Sequence, residues 1–166
     1  MTIRTRTRMT TRTPLLALLA AAAVTAAPAA RAQTALTLTG TCERLVIAGQ
    51  DLSASCRGTL MNTVARSRTS FGFASSEGQN LTFSGTGAQQ ERTEESDPLQ
   101  PINLVSPGKS GPEGVVQTPT PAVGACRFAT PSPGKTAITC EAEAGGKAYA
   151  GTFVTDAKAP DGAPKP

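Results

Sequence analysis

The chain has 166 residues, with 16 Lys and Arg against 12 Asp and Glu, four Cys, no Trp and no His. The missing imidazole excludes His-based triads, Cys–His dyads and mixed Cys/His zinc sites. The precursor's net charge of +4 looks like a cue for an anionic partner, and the N-terminus removes that cue.

Residues 1–32 read as a cleaved secretory signal. Arg4, Arg6, Arg8 and Arg12 form a basic start with no acidic residue, Leu15 to Ala27 is an uncharged apolar run, and Ala30-Arg31-Ala32 offers small residues for cleavage before Gln33. The apolar run spans about 20 Å as a helix, short of a ~30 Å bilayer core, so no membrane span is expected. Five arginines leave with the signal. Of the 16 basic residues 11 stay beside all 12 acidic ones, a net charge of −1, so no nucleic-acid partner is expected. The expected location is the periplasm or the cell exterior.

Residues 33–155 read as one β domain, because Thr, Val, Phe and Gly alternate in short runs with no helical apolar stripe. The first hairpin contains Gly40 to Cys56, "GTCERLVIAGQDLSASC". Setting Cys42 opposite Cys56 places Gly40 across from Gly58 and Leu38 across from Leu60, with Gly49 at the centre of the turn. Phe71 and Phe73 then alternate into a turn, and Leu81 and Phe83 alternate out of it. This register sets Phe73 against Leu81 and Phe71 against Phe83. Phe71, Phe73 and Phe83 are therefore a core cluster or the lining of an apolar ligand site.

Residues 88–123 differ in kind. An acidic stretch with Glu91, Glu94, Glu95 and Asp97 is followed by Pro98, Pro101, Pro107, Pro112, Pro119 and Pro121. The segment is expected as an exposed, Pro-rich acidic loop with polyproline character and one short edge strand, Ile102 to Val105. The next hairpin sets Cys126 opposite Cys140 and Phe128 opposite Ile138, around turn residues centred on Pro133. Gly145-Gly146 turns into a last strand, Lys147 to Thr155, with Tyr149, Gly151 and Phe153 on one side. Residues 156–166 are expected as a disordered tail.

The cysteines repeat one spacing, Gly-x-Cys-x13-Cys, at Cys42/Cys56 and Cys126/Cys140. Redox pairs and zinc ligands favour C-x-x-C, which is absent, so two intra-hairpin disulfides are expected. Glu141 and Glu143 lie two apart on one strand face, about 7 Å from each other, a separation a glycosidase could use. Their face is opposite Cys140, Ala142 and Ala144, so they read as solvent-facing. The acidic run lacks the alternating ligands of a calcium loop, and Ser84-Gly85-Thr86-Gly87 lacks the lysine of a phosphate cradle. Asn80-Leu81-Thr82 fits a glycosylation sequon, and Arg66-Ser67-Arg68 reads as an exposed connection able to meet an acidic partner. No catalytic residue, cofactor or metal ligand is assigned.

The words Cys42-Glu43-x-Leu45, Asp51, Cys56-x-Gly58-x-Leu60-x-Asn62-Thr63, Arg68-x-x-Phe71-x-Phe73 and Leu81-Thr82-Phe83-Ser84-Gly85 resemble a kind of small exported β-rich bacterial protein. The resemblance covers about a third of the mature chain. It implies a secreted β-rich domain and brings no activity or catalytic residues with it. The fold expected is all-β, an antiparallel sandwich or small barrel of about six to eight strands stapled by two disulfides. The function expected is a non-enzymatic binding or structural module that meets a protein or cell-envelope partner through loop 88–123 or an exposed sheet edge. The alternative is a small-barrel carrier of an apolar small molecule. Intact mass and N-terminal sequencing of the exported protein should give a chain starting at Gln33; retention of residues 1–32 would contradict the signal reading.

Overall fold

A computed structural model describes residues 34–87, 89–91, 93 and 98–156. The signal segment, the tail from 157 onward, and Glu94, Glu95 and Asp97 lie outside the described residues.

Thr-, Val- and Phe-rich alternation produces strands throughout: β1 (Thr34–Ile47), β2 (Gln50–Asp51), β3 (Thr59–Ala65), β4 (Arg68–Ala74), β5 (Gln79–Thr86), β6 (Leu99–Gly111), β7 (Gly114–Gln117), β8 (Thr120–Ala129), β9 (Thr136–Ala144) and β10 (Lys147–Thr155), with a single 3-10 turn at Ser53–Ser55. Each barrel strand pairs antiparallel with its neighbours in the order β1-β3-β4-β5-β6-β8-β9-β10, and β10 returns to β1. Eight strands thus close a barrel, and β2 and β7 are additions to it.

Closure depends on β1. Its first half pairs with β3 from Thr34↔Val64 to Thr39↔Thr59, and its second half pairs with β10 from Gly40↔Thr155 to Val46↔Ala150. A register shift between Cys42 and Arg44 marks a bulge in the second ladder. Bulges raise local twist and bend a strand, as closing a sheet requires.

Three hairpin registers agree with the sequence reading. Leu38 faces Leu60, Phe71 faces Phe83, Phe73 faces Leu81, Cys126 faces Cys140 and Phe128 faces Ile138. Both expected disulfides are present, Cys42–Cys56 with a Cα–Cα separation of 5.8 Å and Cys126–Cys140 with 3.9 Å. Each closes a loop of sequence separation 14, worth roughly 3 kcal/mol in the chain-entropy model. The first hairpin differs from expectation in one respect. β1 leaves β3 after Thr39, and a tight β1–β2 hairpin forms over Ala48 and Gly49 (φ 55° and 86°). Two consecutive positive φ values characterise the two-residue turn whose twist matches a hairpin. Cys42–Cys56 therefore joins β1 to the segment after the 3-10 turn, where Cys56 bridges Ser75. Gly40 N–H still donates to Gly58 C=O at 3.1 Å.

The expected Pro-rich loop is corrected by the structure. Residues 99–111, 114–117 and 120–129 are strands, and Ile102 to Val105 lies between β5 and β8 instead of at an edge. β6 and β7 share a register, Gly108↔Gln117 to Gly111↔Gly114, that runs on into Leu104↔Pro121 and Val105↔Thr120. β7 and β8 are thus one strand interrupted at Thr118-Pro119, and β6–β7 is the far end of one long hairpin. The prolines are tolerated because of the side each faces. Thr118 N–H donates to Pro107 C=O at 2.9 Å, so Thr118 faces β6 and its neighbours Pro119 and Gln117 face away. Pro119 and Pro121 thereby lack an N–H only where no β9 partner stands, since β9 pairs β8 from Val123 onward.

The barrel interior is filled. Leu45, Leu60, Leu81, Phe83, Val105, Cys126, Cys140 and Phe153 are fully buried, with Phe71 and Phe73 beside them. Phe73 meets Phe83 edge to face at 5.8 Å, and Phe71 meets Phe128 at 5.7 Å, both within the favourable range for aromatic pairs. Phe73 also reaches across to β10. A Cβ on Gly151 would lie 2.6–2.8 Å from three carbons of the Phe73 ring. Only glycine accommodates that contact. Gly151→Ala should destabilise the protein by about 1–3 kcal/mol through overpacking, read by chemical denaturation with both disulfides intact. Phe73→Leu in the same chain should recover part of that loss, and additivity of the two changes would contradict the contact.

Candidate functional site

With the lumen filled, the concave surfaces formed by the described residues lie on the outer wall. One of them, about 530 Å³, has Ala125, Ala148 and Ala150 on its floor and Arg44, Arg127 and Glu141 beside them. Glu143 lines the same groove. Both glutamates point outward, as alternation from Cys140 and Ala142 requires. Arg44 donates from Nη1 to Glu141 Oε1 at 3.2 Å, with both side chains about half exposed. An ion pair so exposed contributes little to stability. Glu141 is thus matched to a guanidinium on an open wall.

A second concavity lies under the β6–β7 arm. Thr37, Met61, Gly72, Thr82, Val115 and Gln117 line about 380 Å³, and it continues into about 320 Å³ edged by Thr63, Ser70, Ser84 and Ser106. The arm is held over this wall by side chains. Gln117 Nε2 donates to Thr82 Oγ1 at 3.0 Å, and Asn80 Nδ2 donates to Ser110 Oγ at 2.9 Å. Gly108 permits the first contact, since a Cβ there would lie 2.8 Å from Gln117 Cγ. The hydroxyls of Ser70 and Ser84 bond each other at 2.9 Å. The surface is thus a hydroxyl-lined shelf with Met61 and Val115 at its rim, each 55% exposed.

The residues singled out in the sequence are distributed, not gathered. Phe71, Phe73 and Phe83 belong to the core. Cys42, Cys56, Cys126 and Cys140 are all in disulfides, and no free cysteine remains. Asn80 of the sequon uses its amide nitrogen within the arm contact and toward Gly78 C=O. Arg68 Nη1 is buried without a hydrogen-bond partner among the described residues. No group of three His, Cys, Asp or Glu side chains comes together among the described residues.

Sequence reasoning missed the arm, because β7 is four residues long. Its only signal was the Val115-Val116 pair after Pro112-Glu113-Gly114. It also gave no role to Asp51. That carboxylate accepts from Ser53 Oγ at 2.6 Å and from Ser53 N–H at 2.9 Å, while Ser53 Oγ accepts from Leu45 N–H at 3.1 Å. The cluster ties the 3-10 turn to β1 where β1 meets β10. The hydroxyl of Ser53, then its N–H, hold the Asp51 carboxyl below its usual value of 3.8, with a smaller contribution from Arg44. A carboxyl depressed in the folded chain stabilises above its unfolded pKa, and the benefit is lost as pH falls through the lower folded value. Comparing wild type with Asp51→Asn by denaturation between pH 2 and pH 6 should therefore give a difference that shrinks on acidification. A pH-independent difference would remove Asp51 from this role.

Scans against protein-family models, curated proteins and solved structures each return no match to this chain.

Proposed function

We propose that this protein is an exported, non-enzymatic binding or structural module of the periplasm or cell exterior, and that it makes contact through the β6–β7 arm and the wall beneath it. The observation that carries the reading is the filled lumen beside an open edge. Phe73 closes on Gly151 inside, so recognition falls to the outside. There, β7 pairs only with β6 among the described residues. An exposed sheet edge is a template for another strand.

Several observations support the setting. Two disulfides fit an oxidising compartment. The barrel carries apolar side chains inward and Thr, Ser, Arg and Glu outward, the reverse of a barrel that faces lipid. No helix among the described residues is long and apolar enough to cross a membrane. The carrier alternative has less support, because Phe73 packs on Phe83 and Phe71 on Phe128.

The test is recovery of partners from the native host's exported fraction. Replacing Ser110 to Val115 by Asn-Gly shortens the arm to a two-residue hairpin closed by Lys109 and Val116, which are opposite each other. The shortened protein should keep both disulfides and lose the partner. Equal recovery by both proteins would place the contact elsewhere.

A further inference from the structure

The free edge of β7 has a restricted hydrogen-bonding alphabet. Because Thr118 donates to Pro107, the main-chain groups of Gly114, Val116 and Thr118 turn toward β6. Those of Val115, Gln117 and Pro119 turn outward. The outward N–H donors are then those of Val115 and Gln117. Pro119 and Pro121 have none, and Glu113 lies in the turn that joins β6 to β7. The edge is therefore a window of two donors, on Val115 and Gln117, with acceptors on these two and on Pro119, and with no donor beyond them before the turn at one end or the prolines at the other. Val116 stands on the opposite face from the shelf and is 74% exposed.

We infer that the partner of this window is the β7 edge of a second copy of the chain, paired antiparallel about a two-fold axis through Val116. This rests on the arm being a contact surface, as proposed above, and specifies what it contacts. Antiparallel pairing of one strand with itself satisfies the symmetry of a two-chain assembly. In an antiparallel ladder, outward-facing residues must oppose outward-facing residues. Setting Val115 against the other copy's Gln117 pairs the N–H and C=O of both residues on each chain. Shifting one way sets Gln117 against Glu113 in the turn. Shifting the other way sets Val115 against Pro119, which cannot return a bond. The prolines and the turn thus select one register.

Charge and side chains agree with it. The two Val116 side chains form a directly opposed β-branched pair, a favourable cross-strand combination. The window Gly114 to Thr118 contains no charge, and Glu113 falls opposite Pro119. Lys109 stands beside Val116 on β6, so the two lysines are three strand spacings apart, about 14 Å. That exceeds the ~8 Å screening length at physiological salt. A strand pairing this short buries less than the roughly 1,200 Å² of a stable complex, so the assembly is a reversible, concentration-dependent dimer.

Sedimentation equilibrium of the purified, oxidised protein from about 10 μM to about 1 mM should show monomer passing into dimer. Val116→Lys places like charges at the centre, and Val115→Pro removes an outward donor while leaving the β6 ladder intact. Each should raise the dissociation constant at least about tenfold, with an unchanged thermal midpoint showing that the barrel persists. Val116→Cys should cross-link two copies under mild oxidation, because directly opposed residues of a non-hydrogen-bonded pair suit a disulfide. Val115→Cys should not. A monomer throughout the range, a dimer indifferent to both substitutions, or cross-linking by Val115→Cys alone would overturn the inference. If a different protein is recovered through the arm while the chain stays monomeric, the arm remains the contact surface and self-pairing is refuted.

Discussion

The structure depends on one strand being shared between two ladders. β1 pairs with β3 over Thr34 to Thr39 and with β10 over Gly40 to Val46, and without that division the sheet would have two open edges. The bulge between Cys42 and Arg44 allows the change of direction. Cys42 sits at this place, bonded to Cys56, and the Asp51–Ser53–Leu45 cluster holds the neighbouring turn against the same strand. Three devices therefore converge on the seam. Closing it brings together residues at opposite ends of the domain, Gly40 with Thr155, so the entropy of the whole intervening chain opposes it.

The interior then follows from size. Only six aromatic side chains are available in the chain, and five of them, Phe71, Phe73, Phe83, Tyr149 and Phe153, are buried. Eight strands give an interior that side chains can just fill. Large rings on β4 and β5 are matched by small residues on the facing wall, with Gly151 the clearest case. Gln100, 2% exposed, is the largest of the buried polar side chains. A lumen packed in this way makes the barrel a rigid support, and variation in shape is left to what projects from it.

Much of this was legible in the residues. Three hairpin registers could be read because each has paired landmarks, cysteines or aromatics, on one face and turn residues midway. A one-residue slip would put the landmarks on opposite faces, so alternation alone settles the pairing. The segment 99–121 was not legible, because composition counts prolines without stating which side of the strand each faces. Pro119 and Pro121 fall on the side without a β9 partner, and nothing in the local sequence says so. The shared role of β1 was hidden for a related reason. Its fourteen residues alternate as one strand, while the change of partner depends on β10, a hundred residues away. The candidate site was the least visible part, since the shelf under the arm is made of ordinary Ser and Thr from five strands that become neighbours only when the sheet forms.

The order of the disulfides along the chain has its own consequence. The first cysteine is bonded to the second and the third to the fourth, so every bridge joins nearest neighbours in sequence. In a chain that emerges N-terminus first, Cys42 and Cys56 come out before Cys126, and no earlier bond must be broken to make the second. Mixed-disulfide shuffling, the slow step when pairings interleave, has nothing to correct here. Nearest-neighbour pairing thus leaves no interleaved bridge for an isomerase to rearrange.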